Sequence, residues 1–420
     1  MRKFLFTVFA LCLLLGSSVA AEWKWSSKLV DPNEGTFTAL KADPAGNLHL
    51  AYLAGSMVRY GYLPKNAEKW YMMDLAPGGE YVRLNLDPSG NPHVCSTGHG
   101  ELRHYWFDGQ KWQGERVSPA TASIQFSCSV GVGPDGTVHM VWYPLPVTES
   151  DDNVLHIRYG AKRENVWYLR TLDYGGESGK WNTLEVDAKG NPHVSYSCFR
   201  DKRLGYATIV NNEWKFDAVD QNTSPLAEFP VGIGNDLAIA PDGRPRITYQ
   251  DSVTVRYAEP DVNGVWKTET VDQVASRHGW TDYRTRLTFD SEAHPHIVYP
   301  DGGALKHAWK DDAGWHVQFI APKGTNQHPF ASITAGPNNK LFVVYRDTKD
   351  GSLQLATGTL SSATADDAKA IDSPNAAPAK NPALSGPSQD VDATSGAAAT
   401  VKPKPAASKS KSGVKKSTKK

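Results

Sequence analysis

Four cysteines in 420 residues, with no C-x-x-C among them, leave no thiolate cage on which a zinc-built fold could rest. Net charge is lacking too: 45 basic and 45 acidic residues cancel, so no overall positive field exists to gather nucleic acid. Beyond the first 21 residues there is no apolar run long enough to cross a bilayer as a helix. A nucleophile elbow, a phosphate loop and a paired-carboxylate motif are all missing, so the common signatures of acyl transfer, nucleotide chemistry and glycoside hydrolysis do not apply. No pattern calls for a cofactor or a metal, and nothing indicates structural calcium.

The two ends differ from the middle. Arg2 and Lys3 precede an apolar run from Phe4 to Leu15 and small residues through Ala21, which predicts a secretory signal peptide over residues 1–21. Leu11 precedes Cys12 where lipid attachment would need a small residue, so the mature chain is expected to be exported without an anchor, whether secreted, periplasmic or cell-surface associated. Residues 362–420 turn to Ala, Pro, Ser, Asp and Lys, a composition that buries too little apolar surface to fold and predicts a disordered tail. This tail carries ten Lys and five Asp and the leader carries +2, which leaves the middle at −7 and argues against nucleic acid as its ligand. Eight Lys in the last twenty residues would suit contact with an anionic cell surface, or simple solubilisation.

Residues 22–361 are a repeat. Seven tryptophans recur at intervals of 42 to 55 residues, Trp25, Trp70, Trp112, Trp167, Trp214, Trp266 and Trp315, each five residues before Val, Leu or Ile. Upstream of six of them stand an aliphatic strand, a turn of the form D-x-x-G-x-P-H, a short apolar strand ending in an aromatic residue, and a strand with an aliphatic-x-aromatic core. In the fourth copy these are Leu184-Glu185-Val186-Asp187, Gly190-Asn191-Pro192, His193-Val194-Ser195-Tyr196 and Leu204-Gly205-Tyr206-Ala207. Alternation broken by Gly, Pro, Asn and Asp reads as strands A, B, C and D of an antiparallel unit. A unit of this length repeated along the chain predicts an all-β, seven-bladed β-propeller with four antiparallel strands per blade. The seventh copy has strand C at Leu353–Ala356 but no tryptophan after it, whereas Trp25–Val30 is a D strand with no unit before it. The expectation is a ring closed by the N-terminal strand pairing into the last blade, which removes free sheet edges.

Three cysteines remain after the leader. On the repeat, Cys95 lies late in strand B of the second copy, Cys128 early in strand A of the third and Cys198 just after strand B of the fourth, so a Cys95–Cys128 bridge between neighbouring blades is expected.

The motif D-x-x-G-x-P-H-[V/I/L]-x-Y, then L-x-Y-A, then W, resembles the repeats of exported bacterial propellers grouped with sialidase-like or Asp-box proteins, and is distantly similar to propeller-fold polysaccharide lyases. Two departures separate the chain from a sialidase. The C–D hairpins Asp108-Gly109-Gln110-Lys111-Trp112 and Asp312-Ala313-Gly314-Trp315 fall short of a full Asp box. An F/Y-R-I-P motif is absent, since Arg244-Pro245-Arg246-Ile247 belongs to an ordinary A–B turn. The resemblance therefore implies the fold and not the chemistry.

Residues that recur are scaffold, and polar residues that break the repeat are candidates. The strand-B histidines His49, His93, His139, His193 and His296 recur and are expected to hydrogen-bond their turn aspartates, and the Asp of Tyr249-Gln250-Asp251, Tyr299-Pro300-Asp301 and Tyr345-Arg346-Asp347 to cap a turn. Four residues before the turn, on the strand lining the central channel, the series runs Ala39, Arg83, Ser129, Thr183, Asp236, Arg286, Ser332. Arg83, Asp236 and Arg286 break a run of small and hydroxyl side chains, either as a fork for a carboxylate or sulfate or as an Asp236–Arg286 ion pair. The D–A and B–C loops share one face, and the insertion Gln273–Thr285 there carries Arg277, His278, Trp280, Asp282 and Tyr283; Tyr81, His99, Arg200 and His328 would join them. Two readings follow. One is a secreted propeller binding an acidic glycan or a protein partner through this face. The other is an extracellular enzyme on polysaccharide, a lyase or a sialidase-like hydrolase, with His278 and Tyr283 as its acid–base candidates.

Overall fold

A computed structural model of the chain describes residues 22–118, 124–145, 156–175, 177–221, 230–251, 253–274, 284–322 and 330–361. Among them are 27 strands and no helix, and every strand pairing in the sheets is antiparallel. Five sheets have four strands each, in the chain order A-B-C-D. The remaining seven strands form one sheet, a departure from separate four-stranded units that has a local cause. The first strand, Glu22–Ala42, runs through two units in succession: Glu22 to Glu34 pairs with Ser352–Ser361, and Gly35 to Ala42 pairs with Leu48–Ala54. Register shifts between Leu29 and Glu34 and between Thr36 and Ala39 mark where the strand crosses from one to the other.

Burial falls from the inner strands outward. Second strands such as Leu48–Ala54, Pro192–Cys198 and Pro245–Asp251 are almost wholly buried, polar residues included. Fourth strands such as Val166–Thr171 and Glu213–Gln221 are largely exposed. Counting the second half of Glu22–Ala42 as the first of them, the A strands touch one another in cyclic order through Tyr81–Leu86, Ile124–Val132, Ser178–Val186, Ile233–Ile239, Arg286–Phe289 and Ser332–Ala335, and the last touches the first. The apolar core is correspondingly divided. Each cluster joins two consecutive units, as Tyr60, Val82, Val94 and Trp112 do between the first and second, or Leu50, Tyr52, Val344 and Leu353 between the last and first.

Recurrent polar residues stitch this scaffold. His49, His193 and His296 lie 3.5, 3.3 and 3.4 Å from Asp43, Asp187 and Asp290, whereas His93 stands 3.9 Å from Asp87 and His139 Nε2 meets no partner among the described residues; Arg246 donates to Asp242 at 2.9 Å in one of the two copies without a histidine. The other ring nitrogen meets strand C, at Tyr60, His104, Tyr159, Tyr206 or His307. A second device crosses between units and was not read from the sequence. Tyr52, Tyr196, Tyr249 and Tyr299 donate their hydroxyls to Asp31, Asp173, Asp220 and Asp272 at 2.5 to 2.8 Å, and Arg59, Arg203, Arg256 or Lys306 closes each as an ion pair. Cys95 and Cys128 are bonded, their Cα atoms 6.3 Å apart, at one of the interfaces lacking such a triad, while Cys198 is free and buried.

Candidate functional site

Residues of the A strands, from Ala39 and Arg83 to Arg286 and Ser332, line one cavity. In the middle layer, two hydroxyl residues do the same job: Ser129 accepts the backbone N–H of Leu184 and Ser332 that of Leu40, each at 3.0 Å, so the serine oxygen caps a donor of the next unit. Asp236 performs the same task with Oδ2, which accepts the N–H of Leu287 at 3.0 Å. Its other oxygen is available for something else, and Arg83 Nη2 donates to it at 3.1 Å from across the channel, and to Thr183 at 3.1 Å. Arg286 lies 3.9 Å from the same oxygen. The ion pair expected between Asp236 and Arg286 is thus secondary, because at an axis where seven side chains meet, an arginine three units away reaches as easily as the neighbour.

One layer toward the D–A loops, two residues earlier on each A strand, stand Phe37, Tyr81, Ser127, Trp181, Gly234, Arg284 and Phe330. Phe37, Trp181 and Phe330 share positive φ values of 52, 50 and 38° with Gly234 at 58°, a left-handed bulge that glycine adopts freely and aromatic residues rarely do. Neighbouring units hold the bulges in place. Thr38 donates to Phe330 O, Thr285 to Gly234 O at 3.0 Å, and Asn182 to Ser127 and Gly179 O. Strain of this kind gathers where a site is built.

Arg284 occupies the centre of this mouth. Its guanidinium donates to the Tyr81 hydroxyl and lies over the rings of Tyr81 and Phe37, 4.6 and 5.3 Å from their centroids. Phe37 in turn packs against Tyr81 and Phe330 at 5.3 and 5.1 Å. Tyr81 and Arg286 are buried, Arg83 nearly so, and Arg284, Phe37 and Phe330 are half-buried. Three guanidiniums therefore face one carboxylate and one phenol. Burial alone would raise the Tyr81 phenol, but the positive charges of Arg284, Arg83 and Arg286 outweigh it and bring the group down to about 7. Burial and the like charge of Arg83 pull Arg286 down to about 9, so it stays protonated at neutral pH. The Nε–H groups of Arg83, Arg284 and Arg286 have no hydrogen-bond partner among the described residues. Below this layer the channel keeps a cavity of about 40 Å³, room for a water or two, bounded further on by Lys41 and Asn85, which donate to Glu185 at 2.8 and 3.1 Å.

Of the residues singled out in the sequence, Tyr81, Arg83, Asp236 and Arg286 come together here. His99 and Arg200 are exposed at the B–C turns of the second and fourth units and make no hydrogen bond or ion pair with the cluster. Arg277, His278, Trp280, Asp282, Tyr283 and His328 lie outside the described residues. Arg284, Phe37 and Phe330 were not singled out, although reading the channel series two residues upstream finds all three. Asp290, Glu292 and His294 could supply three metal-ligand atoms. Asp290 Oδ1, however, accepts the N–H groups of Glu292 and His294 at 2.9 and 2.8 Å, the same turn-closing role that Asp187 plays toward Lys189 and Asn191.

No protein-family model and no curated protein sequence matches the chain. Solved structures do match in shape. A virginiamycin B lyase from Staphylococcus aureus superimposes with a TM-score of 0.54 at 10% identity, over 80% of this chain and 99% of that one. An oligogalacturonate lyase from Vibrio parahaemolyticus gives 0.50 at 10% identity, over 80% and 96%. Both are propeller-fold proteins, and at these identities the likeness shows a β-propeller fold and nothing of the chemistry.

Proposed function

We propose that the chain is an exported, closed seven-bladed propeller that binds the acidic group of a glycan or protein ligand at the D–A mouth of its channel. The observation that carries this reading is the charge imbalance at the axis: three arginines against Asp236, with three buried Nε–H donors left over. Buried donors of this kind are costly unless an acceptor arrives, and a guanidinium fork suits a carboxylate or sulfate with two parallel hydrogen bonds. Arg284, half-buried and lying over the rings of Phe37 and Tyr81, is the first of the three that an entering group meets. Closure into seven blades is supported by the pairing of Glu22–Glu34 with Ser352–Ser361 and by the cyclic contacts of the A strands. Calorimetric titration with acidic and neutral oligosaccharides tests the site. Binding of an acidic probe that is lost in Arg284→Ala supports it, and binding unchanged in that variant refutes it.

Tyr81 favours a second reading. A phenol brought down to about 7 is a base at neutral pH, and in a uronate polymer it would take the proton at C5 while an arginine neutralises the carboxylate and the bond to the C4 oxygen breaks. The unsaturated product absorbs in the ultraviolet, so its formation, abolished by Tyr81→Phe, separates a lyase from a binding protein.

A further inference from the structure

The seam between the last and first units departs from the repeat at one spot. In six interfaces the strand-D tryptophan of one unit packs against a ring on strand C of the unit before it. The pairs are Trp112 on Tyr60, Trp167 on His104, Trp214 on Tyr159, Trp266 on Tyr206, Trp315 on Tyr257 and Trp25 on His307, with centroids 4.8 to 6.1 Å apart. At the seventh, the tryptophan is Trp70 and the strand-C position holds Leu355, with Phe342 where five other units have histidine. The shorter side chain leaves the indole face without a ring partner among the described residues, and a cavity of about 270 Å³ opens over it, bounded by Trp70, Phe342 and Leu355. Among the described residues, Lys28, Lys65 and Lys340 stand at its edge with Glu68 as the one acid, an excess of two positive charges on a unit ring whose net charge is negative. Lys28 pairs with Glu68 at 3.1 Å, which leaves Lys65 and Lys340, both exposed, as the cations free to meet a ligand.

We infer that this cavity binds one acidic sugar unit of a glycan, at a site separate from the channel. The volume lies near the lower end of small-ligand pockets, ~300 Å³, and fits a single ring better than an extended chain segment. The apolar C–H face of a pyranose lies against an indole, whose ring face is negative, while a carboxylate or sulfate at the ring's edge meets Lys65 and Lys340. A neutral sugar gains only the first of these contacts. The hole exists because Leu355 is too short, so the ring found at the other six interfaces should close it.

The test uses the full chain carrying Arg284→Ala, which silences the channel mouth, titrated calorimetrically with trigalacturonate, a chondroitin sulfate hexasaccharide and maltotriose. At least one acidic probe should bind and maltotriose should bind at least about tenfold more weakly. Leu355→Tyr fills the cavity with the side chain the repeat uses elsewhere and should weaken the acidic probe by about tenfold or more with no loss of thermal stability. Lys65→Glu with Lys340→Glu, both on the surface and outside the core, should do the same without touching the fold. If neither acidic probe binds, or if both variants bind as tightly as their parent, the seam site is wrong whatever becomes of the channel.

Discussion

Tyr81 should lose its proton near neutral pH, and replacing it with Phe should change how stability depends on pH. Its phenol is buried, which by itself opposes ionisation, yet Arg284, Arg83 and Arg286 bring it from 10 down to about 7. Three pH units correspond to a native-state preference for the phenolate on the order of 4 kcal/mol. The folded value lies below the unfolded one, so this contribution is absent below about pH 7, grows as pH rises and is complete only above 10. Arg286, down at about 9, begins to shed its own charge in the upper part of that window and weakens the field on Tyr81. The clean interval is therefore pH 7 to 9. Over it the unfolding free energy of the wild type, from urea titrations, should climb relative to Tyr81→Phe. Near-ultraviolet absorbance should show one of the 17 tyrosines ionising below pH 9, a step missing in the variant. An acidic ligand bound beside Arg284 would compete for the same positive charge and move that step upward. Parallel stability profiles for the two proteins, with no tyrosine ionising before pH 9, would refute the account of the channel mouth given above.

The inter-unit triads carry stability rather than binding. Asp220→Ala leaves the hydroxyl of Tyr249 and the guanidinium of Arg256 without their shared acceptor and should cost about 1–3 kcal/mol by urea unfolding, with no effect on ligand titrations. At the seam, burial raises the Asp31 carboxyl but hydrogen bonds from Tyr52 and Asn33 and the charge of Arg59 hold it below its ordinary 3.8. Its contribution is thus present above that value and fades as pH falls through the lower folded one, and Asp31→Asn should remove this part of the acid sensitivity. Reducing the Cys95–Cys128 bond, which closes a loop of 33 residues, should lower stability by roughly 4 kcal/mol on the chain-entropy estimate, read as a shift in thermal midpoint with and without reductant.

Local features were legible from the sequence, and meetings across the ring were not. The turn D-x-x-G-x-P-H and the strands flanking it read correctly because each is decided within about ten residues by alternation and turn chemistry. The same register located Arg83, Asp236 and Arg286 on the channel wall, since each stands a fixed number of residues from its turn. Which of them pair could not be read that way. Arg83 and Asp236 are 153 residues apart, and only convergence at the axis brings them to 3.1 Å. Arg284 stands at the inner end of the densest loop, Gln273–Thr285, where only its tertiary contact with Tyr81 marks it out. The triads carry a signature in the sequence. Asp31, Asp173, Asp220 and Asp272 each follow the aliphatic residue that stands five after a tryptophan, in the four interfaces whose next strand B and strand C supply the tyrosine and the cation.

Stability alone does not account for the arginines of the channel. At three of these positions an oxygen caps the next unit's N–H, and Ser129 and Ser332 supply it with a hydroxyl. Asp236 supplies it with a charge, and Arg83 and Arg286 then neutralise that charge at the expense of desolvating two guanidiniums. A buried ion pair of this sort seldom outdoes small neutral residues in stability, whereas removing one member of it leaves an uncompensated charge. Two variants should therefore diverge. Asp236→Asn strands the guanidiniums of Arg83 and Arg286 and should cost about 3–5 kcal/mol, partly recovered by added sulfate. Arg83→Ser, Asp236→Ser and Arg286→Ser together recreate the pattern of Ser129 and Ser332 and should leave thermal stability equal to or above wild type, while binding of an acidic ligand disappears. A triple variant as unstable as the single one would mean that the cluster is structural, and the channel would lose its claim to be a site.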